Sequence, residues 1–312
     1  MNNNDRPLVT FALFAYNQEK YIREAIEGAF SQTYEPLEII ISDDCSTDRT
    51  FEIMQAMAAS YVGVHSVRVR RNRRNLGLIA HVNTVFELAV GEVIVLAAGD
   101  DISEARRVSK ITSVFEKKPE AMLVHSMVQI LDVYGRAVGF EVPPNIDASI
   151  IDIATSACIY IGATGAIKRE LYDTYGPISE RDTYEDLTFG FRAALQDGLF
   201  YVSEPLVKYR SNIGLASQFK RVGKNRRERR IALIRHRLAT LKQRRNDLHF
   251  SAHPKFNEIA EALAIEERKA FARLQFYMEP FKFTRHLVFT FSYAYLKAFS
   301  SEFKYKIRLI DQ

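Results

Sequence analysis

Residues 8–48 read LVTFALFAYNQEKYIREAIEGAFSQTYEPLEIIISDDCSTD, and their pattern decides the fold. Leu8 to Ala15 is a short apolar run rich in β-formers, which reads as a buried strand. Tyr16-Asn17 opens a polar turn. Glu19 to Ser31 then carries Tyr21, Ile22, Ala25, Ile26 and Ala29 on one helical face. Leu37 to Ser42 is a second buried strand. Asp43-Asp44-Cys45-Ser46-Thr47-Asp48 is a loop of turn formers and helix caps.

The same alternation continues outward. Thr50 to Ser60 predicts a helix, Val64 to Val69 a strand, and Asn72 to Gly77 a loop. Leu78 to Val90 predicts a helix closed by Gly91. Glu92 to Ala97 is a fourth strand, ending at Gly99-Asp100-Asp101. Nearly continuous apolar strands between helices predict an α/β layer with a mostly parallel sheet. In such sheets ligands sit beyond the carboxyl ends of the strands. Tyr16-Asn17, Asp43-Asp44 and Asp100-Asp101 each follow a strand, so all three are expected on one edge.

Further along, Ala121 to Leu131 reads as a strand and Gly135 as a turn. Thr155 to Lys168 contains Gly162 and Gly165, where backbone can closely approach a ligand. Tyr184-Glu185-Asp186 leads into a helix from Leu187 to Gln196, and Phe200 to Tyr209 is a late strand. After Ser217 the composition shifts. Residues 220–312 hold 22 Lys and Arg against 9 Asp and Glu, whereas the preceding residues hold 21 against 29. An acidic body with a basic tail predicts two parts with different partners, 1–217 and 218–312.

Composition sets bounds. The chain has 312 residues, no Trp, and two cysteines, Cys45 and Cys158, too far apart for a metal-type spacing. A reducing, cytosolic setting is the expectation. Met1 to Arg6 lacks a signal-peptide pattern, and no stretch approaches the roughly 20 apolar residues of a membrane span.

Each acidic pair has two readings. Adjacent carboxylates repel and raise each other's pKa, a penalty that a bound Mg²⁺ or Mn²⁺ removes while bridging to phosphates. Asp100-Asp101 equally suits the cap of a helix near Ser103 to Phe115. Asp43-Asp44 suits either a cap or an acceptor for base and ribose donors. Tyr16 offers a stacking face or a half-buried loop ring. Glu185-Asp186 offers a general base or a favourable charge at a helix N-terminus.

Together these residues resemble the family 2 glycosyltransferases, the large inverting group with the GT-A (Rossmann-like) fold. The resemblance rests on the strand to Tyr16-Asn17, Ser31-Gln32-Thr33-Tyr34, Leu37 to Ile41, Asp43 to Asp48, and Asn75-Leu76-Gly77 with Asn83. Ala89-Val90-Gly91-Glu92 and Leu96 to Asp101 complete it. It covers roughly the first two hundred residues, and the joint pattern is far more specific than any one motif.

It implies a mostly parallel sheet flanked by helices with a C-terminal helical extension. It implies Phe14, Tyr16, Asn17, Asp44, Asn75, Asp100, Gly162 and Arg210 at a nucleotide diphosphate-sugar of UDP or dTDP type. Asp101, with Asp100, would hold Mg²⁺ or Mn²⁺. Asp186, in its pair with Glu185, would be the catalytic base. Three departures stand out. Ala98 replaces a frequent Asp, Asn212 a frequent His, and Cys45 a frequent Gly or Asn. Without Trp, the Gln/Arg-x-x-Arg-Trp motif of processive synthases is absent, so a single addition to a glycan or lipid-linked acceptor is expected.

The tail has no counterpart in the motif. Arg226, Arg227, Arg229, Arg230, Arg235, Arg237, Arg244 and Arg245 predict a dense positive face. Rings from Phe281 to Tyr305, Phe289 and Phe291 among them, add interfacial character. An anionic membrane surface at the inner face of the cell membrane and a homo-oligomer through these helices are the partners such a tail suits. Packing of the helices on the catalytic part, with the arginines facing water, fits it equally; nucleic acid is not expected. Two other functions fit parts of the chain. A nucleotidyltransferase needs a Gly-rich basic loop after the first strand, and Ala15-Tyr16-Asn17-Gln18 is not one. A non-enzymatic basic module would use the tail alone.

Overall fold

The computed structural model describes residues 6–142, 147–211, 225–290 and 293–307. Asn212, the 217/218 boundary and Phe291 lie outside the described residues, as does the side chain of Phe289.

The first part alternates as its apolar runs predict: β1 (Val9–Ala15), α1 (Ile22–Phe30), β2 (Leu37–Asp43), α2 (Thr50–Ala59), β3 (Ser66–Arg71), α3 (Leu78–Leu88) and β4 (Val93–Ala98). β1 and β2 are buried or nearly so along their whole length. Both faces of these strands are covered. Ala12, Ile40, Ile94 and Leu96 pack on α3 through Val82, Val85 and Phe86. Phe11, Leu13, Ile39, Ile41 and Val95 pack on α1 and α2 through Ile22, Ile26 and Met54. Alternate residues thus serve opposite layers, as the strand period requires.

The remaining elements are β5 (Ile102–Ser103), α4 (Arg107–Lys117), β6 (Leu123–Leu131), β7 (Ala137–Glu141), α5 (Ile150–Thr155), β8 (Ala166–Lys168), α6 (Arg169–Tyr175), α7 (Glu185–Ala194) and β9 (Leu199–Arg210). Four helices follow: α8 (Arg226–Leu248), α9 (Phe256–Met278), α10 (Pro280–Thr290) and α11 (Tyr293–Ile307). The sheet order is β3-β2-β1-β4-β8-β6-β9-β5, with β7 on β6. The β1–β4 half is parallel, as expected. The other half is mixed, because β8 enters antiparallel between β4 and β6 while β6 and β9 run parallel. Strand–helix alternation in the sequence stops after α4, which is where the parallel rule stops applying.

The helical extension is joined to the sheet layer. Leu241, Leu248, Ile259 and Leu263 belong to the same apolar cluster as Phe189, Phe191 and Ile153. The dense arginine face expected on α8 is therefore corrected in part. Arg244 is fully buried, and its guanidinium donates to the carbonyls of Ala154, Ser156 and Leu187. Arg237 donates to the carbonyls of Thr155 and Ser156. Arg230 pairs with buried Glu302 at 2.6 Å. Carbonyls at helix ends lack intrahelical partners. A planar guanidinium with five donors can satisfy several at once, so these arginines turn inward.

A second clasp is ionic. Arg192 on α7 meets Asp247 on α8 through two hydrogen bonds of 3.0 and 2.9 Å, both side chains at 2% exposure or less. Gln243 adds a 2.9 Å bond to the same carboxylate. Asp247→Ala strands a buried guanidinium and is expected to lower the unfolding free energy by about 3–5 kcal/mol. Urea denaturation reads this directly, and a loss below about 1 kcal/mol, the range of a surface pair, would contradict the clasp.

Candidate functional site

The register places the carboxyl ends of β1, β2 and β4 side by side. Ala15 pairs with Asp43, and Phe14 with Ala98. The polar residues that follow each strand therefore share one edge. Asn17 adopts a left-handed φ of 53°, and its Oδ1 accepts from the Thr47 amide at 2.8 Å, which ties the first loop to the second. Tyr16 is half-buried and Asn17 exposed. Phe14 sits edge-on to His81 at 5.2 Å.

The two carboxylates after β2 do different things. Asp43 is fully buried, accepts from the Ser46 amide at 3.0 Å and pairs with Arg71 at 3.1 Å. It shapes the loop. Asp44 reaches the next loop, accepting from Asn72 Nδ2 at 2.6 Å and from the Leu76 and Gly77 amides at 2.9 Å each. Gly77 has a φ of +78°, a conformation open to glycine at no steric cost. Asn75 is exposed on that loop, its Oδ1 accepting from the Gly77 amide at 3.0 Å. Asp44 thus holds Asn75 and Gly77 at the rim.

Asp100 and Asp101 are 3% and 5% exposed. They do not cap α4, which starts at Arg107. Burial raises the pKa of both, and the charge of Asp100 pushes Asp101 up further. Their support comes from the far end of the chain. The Arg210 amide donates to Asp101 Oδ1 at 2.9 Å, and its guanidinium donates to the Asp100 carbonyl. That guanidinium is also fixed by Glu24 at 2.9 Å and stacked over Tyr21. Beneath the pair lies Arg107, fully buried, donating to Ser103 Oγ at 2.9 Å and to the Leu96 carbonyl at 2.7 Å. Burial lowers its pKa to about 9, against the opposing pull of Asp101. Arg107 escaped the sequence reading. The available signal was a basic residue in the first turn of a helix, where the dipole favours acids.

Among the described residues no group of three or more His, Cys, Asp and Glu side chains has metal-holding geometry. Among the described residues, Asp100 and Asp101 bring two carboxylates to one point. Such a set suits a hard divalent cation that brings substrate phosphate oxygens and water as its other ligands.

The second acidic pair opens α7. The Leu187 amide donates to Asp186 Oδ1 at 2.7 Å, which aims the carboxylate. Burial raises the pKa of both acids, and the Glu185 charge raises Asp186 further, with Arg244 opposing. Gly162 faces this pair: a Cβ there would lie 2.2 Å from Glu185 Oε1. Tyr160 is buried beside Gly165, and its phenol is raised by burial and then by Asp186 and Glu185.

Tyr209 connects the two halves. Burial and then the charges of Asp101, Asp100, Glu141 and Asp186 push its phenol up to about 12. The charges of Asp101 and Asp100 and that of Asp186 thus reach a single side chain. The two pairs are 84 residues apart, from Asp101 to Glu185, so no local pattern links them; only the family resemblance had assigned both to one site.

Comparison with known proteins fits this geometry. A profile described as glycosyl transferase family 2 matches residues 10–176. The chain is 30% identical over 213 residues to a putative glycosyltransferase, EpsE, of Bacillus subtilis, spanning 64% of this chain and 74% of that protein. It is 32% identical over 132 residues to chondroitin synthase of Escherichia coli, spanning 42% of this chain but 19% of that protein. Among solved structures, S. aureus TarS 1-349 in complex with UDP-GlcNAc superposes with a TM-score of 0.60 at 16% identity, covering 94% of this chain and 80% of that one. A mannosyltransferase of Pyrobaculum calidifontis, in complex with GDP-Man and Mn²⁺, gives 0.58 at 18% identity, covering 98% and 82%. Both carry the GT-A fold.

Proposed function

The chain belongs to glycosyl transferase family 2, and from that premise we propose that it moves one sugar from a nucleotide diphosphate-sugar to a hydroxyl of a glycan or lipid-linked acceptor, with inversion. The nucleotidyltransferase and non-enzymatic readings are set aside by the family. The observation that carries the proposal is the presence of two acidic pairs, Asp100-Asp101 after β4, held by the Arg210 amide, and Glu185-Asp186 at the start of α7 beside Gly162. One acidic pair serves the leaving diphosphate and the other the incoming hydroxyl.

In this reading Tyr16, Asn17, Asp44 and Asn75 line the nucleoside end, with Phe14 behind them. Asp44 keeps lone-pair capacity beyond its three bonds for a base or ribose donor. Asp101 and Asp100 would hold Mg²⁺ or Mn²⁺, which when bound would supply positive charge to offset that of the departing diphosphate. Arg210 adds a positive group beside that carboxylate pair. Gly162 leaves room for the Glu185 carboxylate to pack against the backbone, with the donor sugar proposed alongside. The acceptor hydroxyl attacks the anomeric carbon opposite the leaving group, and Asp186 takes its proton. The C–O bond to the acceptor forms as the bond to the diphosphate breaks.

UDP and dTDP donors are proposed, with cell-surface polysaccharide as the product class and the inner face of the cell membrane as the location. The relatives' names support a polysaccharide role. The test is hydrolysis and transfer from UDP-, dTDP- and GDP-sugars, with Mn²⁺ and with chelator. The expected result is one preferred nucleotide, activity abolished by chelation, and a product of inverted anomeric configuration by NMR. Retained configuration, or full activity in chelator, would overturn the corresponding part.

A further inference from the structure

The last two helices leave an aromatic and basic face in solvent. On α11, Leu296, Phe299 and Phe303 are 47%, 40% and 50% exposed, and Tyr293 is 61% exposed. Leu296, Phe299 and Phe303 fall at i, i+3 and i+7, which puts them on one side of the helix. Lys297, Ser300 and Lys304 are exposed beside them. The opposite side is packed: Ala298 is fully buried against Phe283, and Glu302 pairs inward with Arg230. Phe299 and Phe303 stack on each other at 5.5 Å. At the neighbouring corner, Met278 and Phe281 are 47% and 93% exposed, with Lys282 next to them.

Single exposed apolar side chains need no explanation, but a helical row of them does. Charge identifies the occupant. Residues 280–310 contain six Lys and Arg against one acid, and that acid, Glu302, faces the interior. Rings on one flank and lysines on the other are the arrangement of a helix lying in a lipid interface, with lysine stems reaching the headgroups. Among the described residues no helix is long and apolar enough to cross a membrane.

We propose that the exposed face of α11, with the Met278–Phe281 corner, docks on an anionic phospholipid surface. The sequence pointed both at these rings and at the arginines of α8, three of which the fold turns inward. Docking is independent of the transfer chemistry, so either can fail without the other.

The test is flotation of the full chain with vesicles of phosphatidylcholine alone and with roughly one-third phosphatidylglycerol added. The protein is expected to float with the anionic vesicles only, and less at high salt. Phe299→Ser with Phe303→Ser, and separately Lys297→Glu with Lys304→Glu, are expected to reduce recovery at least tenfold, since one lysine near the surface counts for roughly fivefold. All four positions are exposed, so Tm should not move. Arg235→Glu on α8 is expected to float as the parent does. Light scattering without vesicles tests a second copy as the occupant. Equal recovery with both lipids would overturn the proposal. So would a dimer that the same pairs dissociate without any flotation.

Discussion

Replacing Asp186 with Asn is expected to lower the transfer rate by roughly 10²–10⁴-fold, the contribution of a positioned general base. Nucleotide binding should be unchanged, because the role proposed for Asp186 is toward the acceptor hydroxyl. Thermal stability should hold or rise. The wild-type carboxylate is raised above the ordinary range by burial and by Glu185. The folded chain therefore binds that proton more tightly than the unfolded chain. The stability it contributes is present below the ordinary carboxylate pKa and lost as pH rises through the raised value. Asn abolishes that loss, so a gain in Tm should be largest near neutral pH.

The same shift gives the activity a sign. A base works only when deprotonated, so the wild-type rate should climb through a pKa above the ordinary carboxylate range and fall away in acid. The climbing limb should vanish in Asp186→Asn. Glu185→Gln is the discriminating control. It removes a like charge and should move the limb of the wild type to lower pH while leaving transfer measurable. If Glu185→Gln is dead and Asp186→Asn transfers freely, the roles are reversed.

Asp101→Asn is the second large effect. The variant keeps the shape of the site and can still accept from the Arg210 amide, so folding should survive. Metal-dependent affinity for the nucleotide diphosphate should fall by at least roughly a hundredfold, the upper end of what even an outer partner of a metal contributes. Calorimetry with UDP, in Mn²⁺ and in chelator, reads it. Wild type should bind far more weakly in chelator, and the variant should bind equally weakly in both. Ala98 sharpens this expectation, since no carboxylate stands two residues before Asp100 to take over. An unchanged Mn²⁺-dependent affinity in Asp101→Asn would move the metal elsewhere.

The strands, the helices between them and the common edge of Tyr16, Asp44 and Asp100 were legible in the sequence. They depend on apolar runs of strand and helix period, and on the rule that parallel strands end on one side. Cysteine count and charge asymmetry were legible too. Some pair roles were not. Asp43 and Asp44 look alike in sequence, yet one shapes its own loop and the other holds Asn72, Leu76 and Gly77. Which loop comes within hydrogen-bond reach is a long-range fact, and no local pattern encodes it.

Three further matters only the tertiary structure decided. Arg107 and Arg210 converge under the acidic pair from opposite parts of the chain. Tyr209 feels the charges of Asp100, Asp101 and Asp186 together. Arg244, which reads as part of a solvent-facing basic stripe, is buried behind Leu187 and steadies the helix that carries Asp186. The physical reason is common to all three. Periodicity reports which face of an element is apolar. It says nothing about which unpaired carbonyl or carboxylate awaits a guanidinium elsewhere, because burial changes what a charge is for only once the layers have packed.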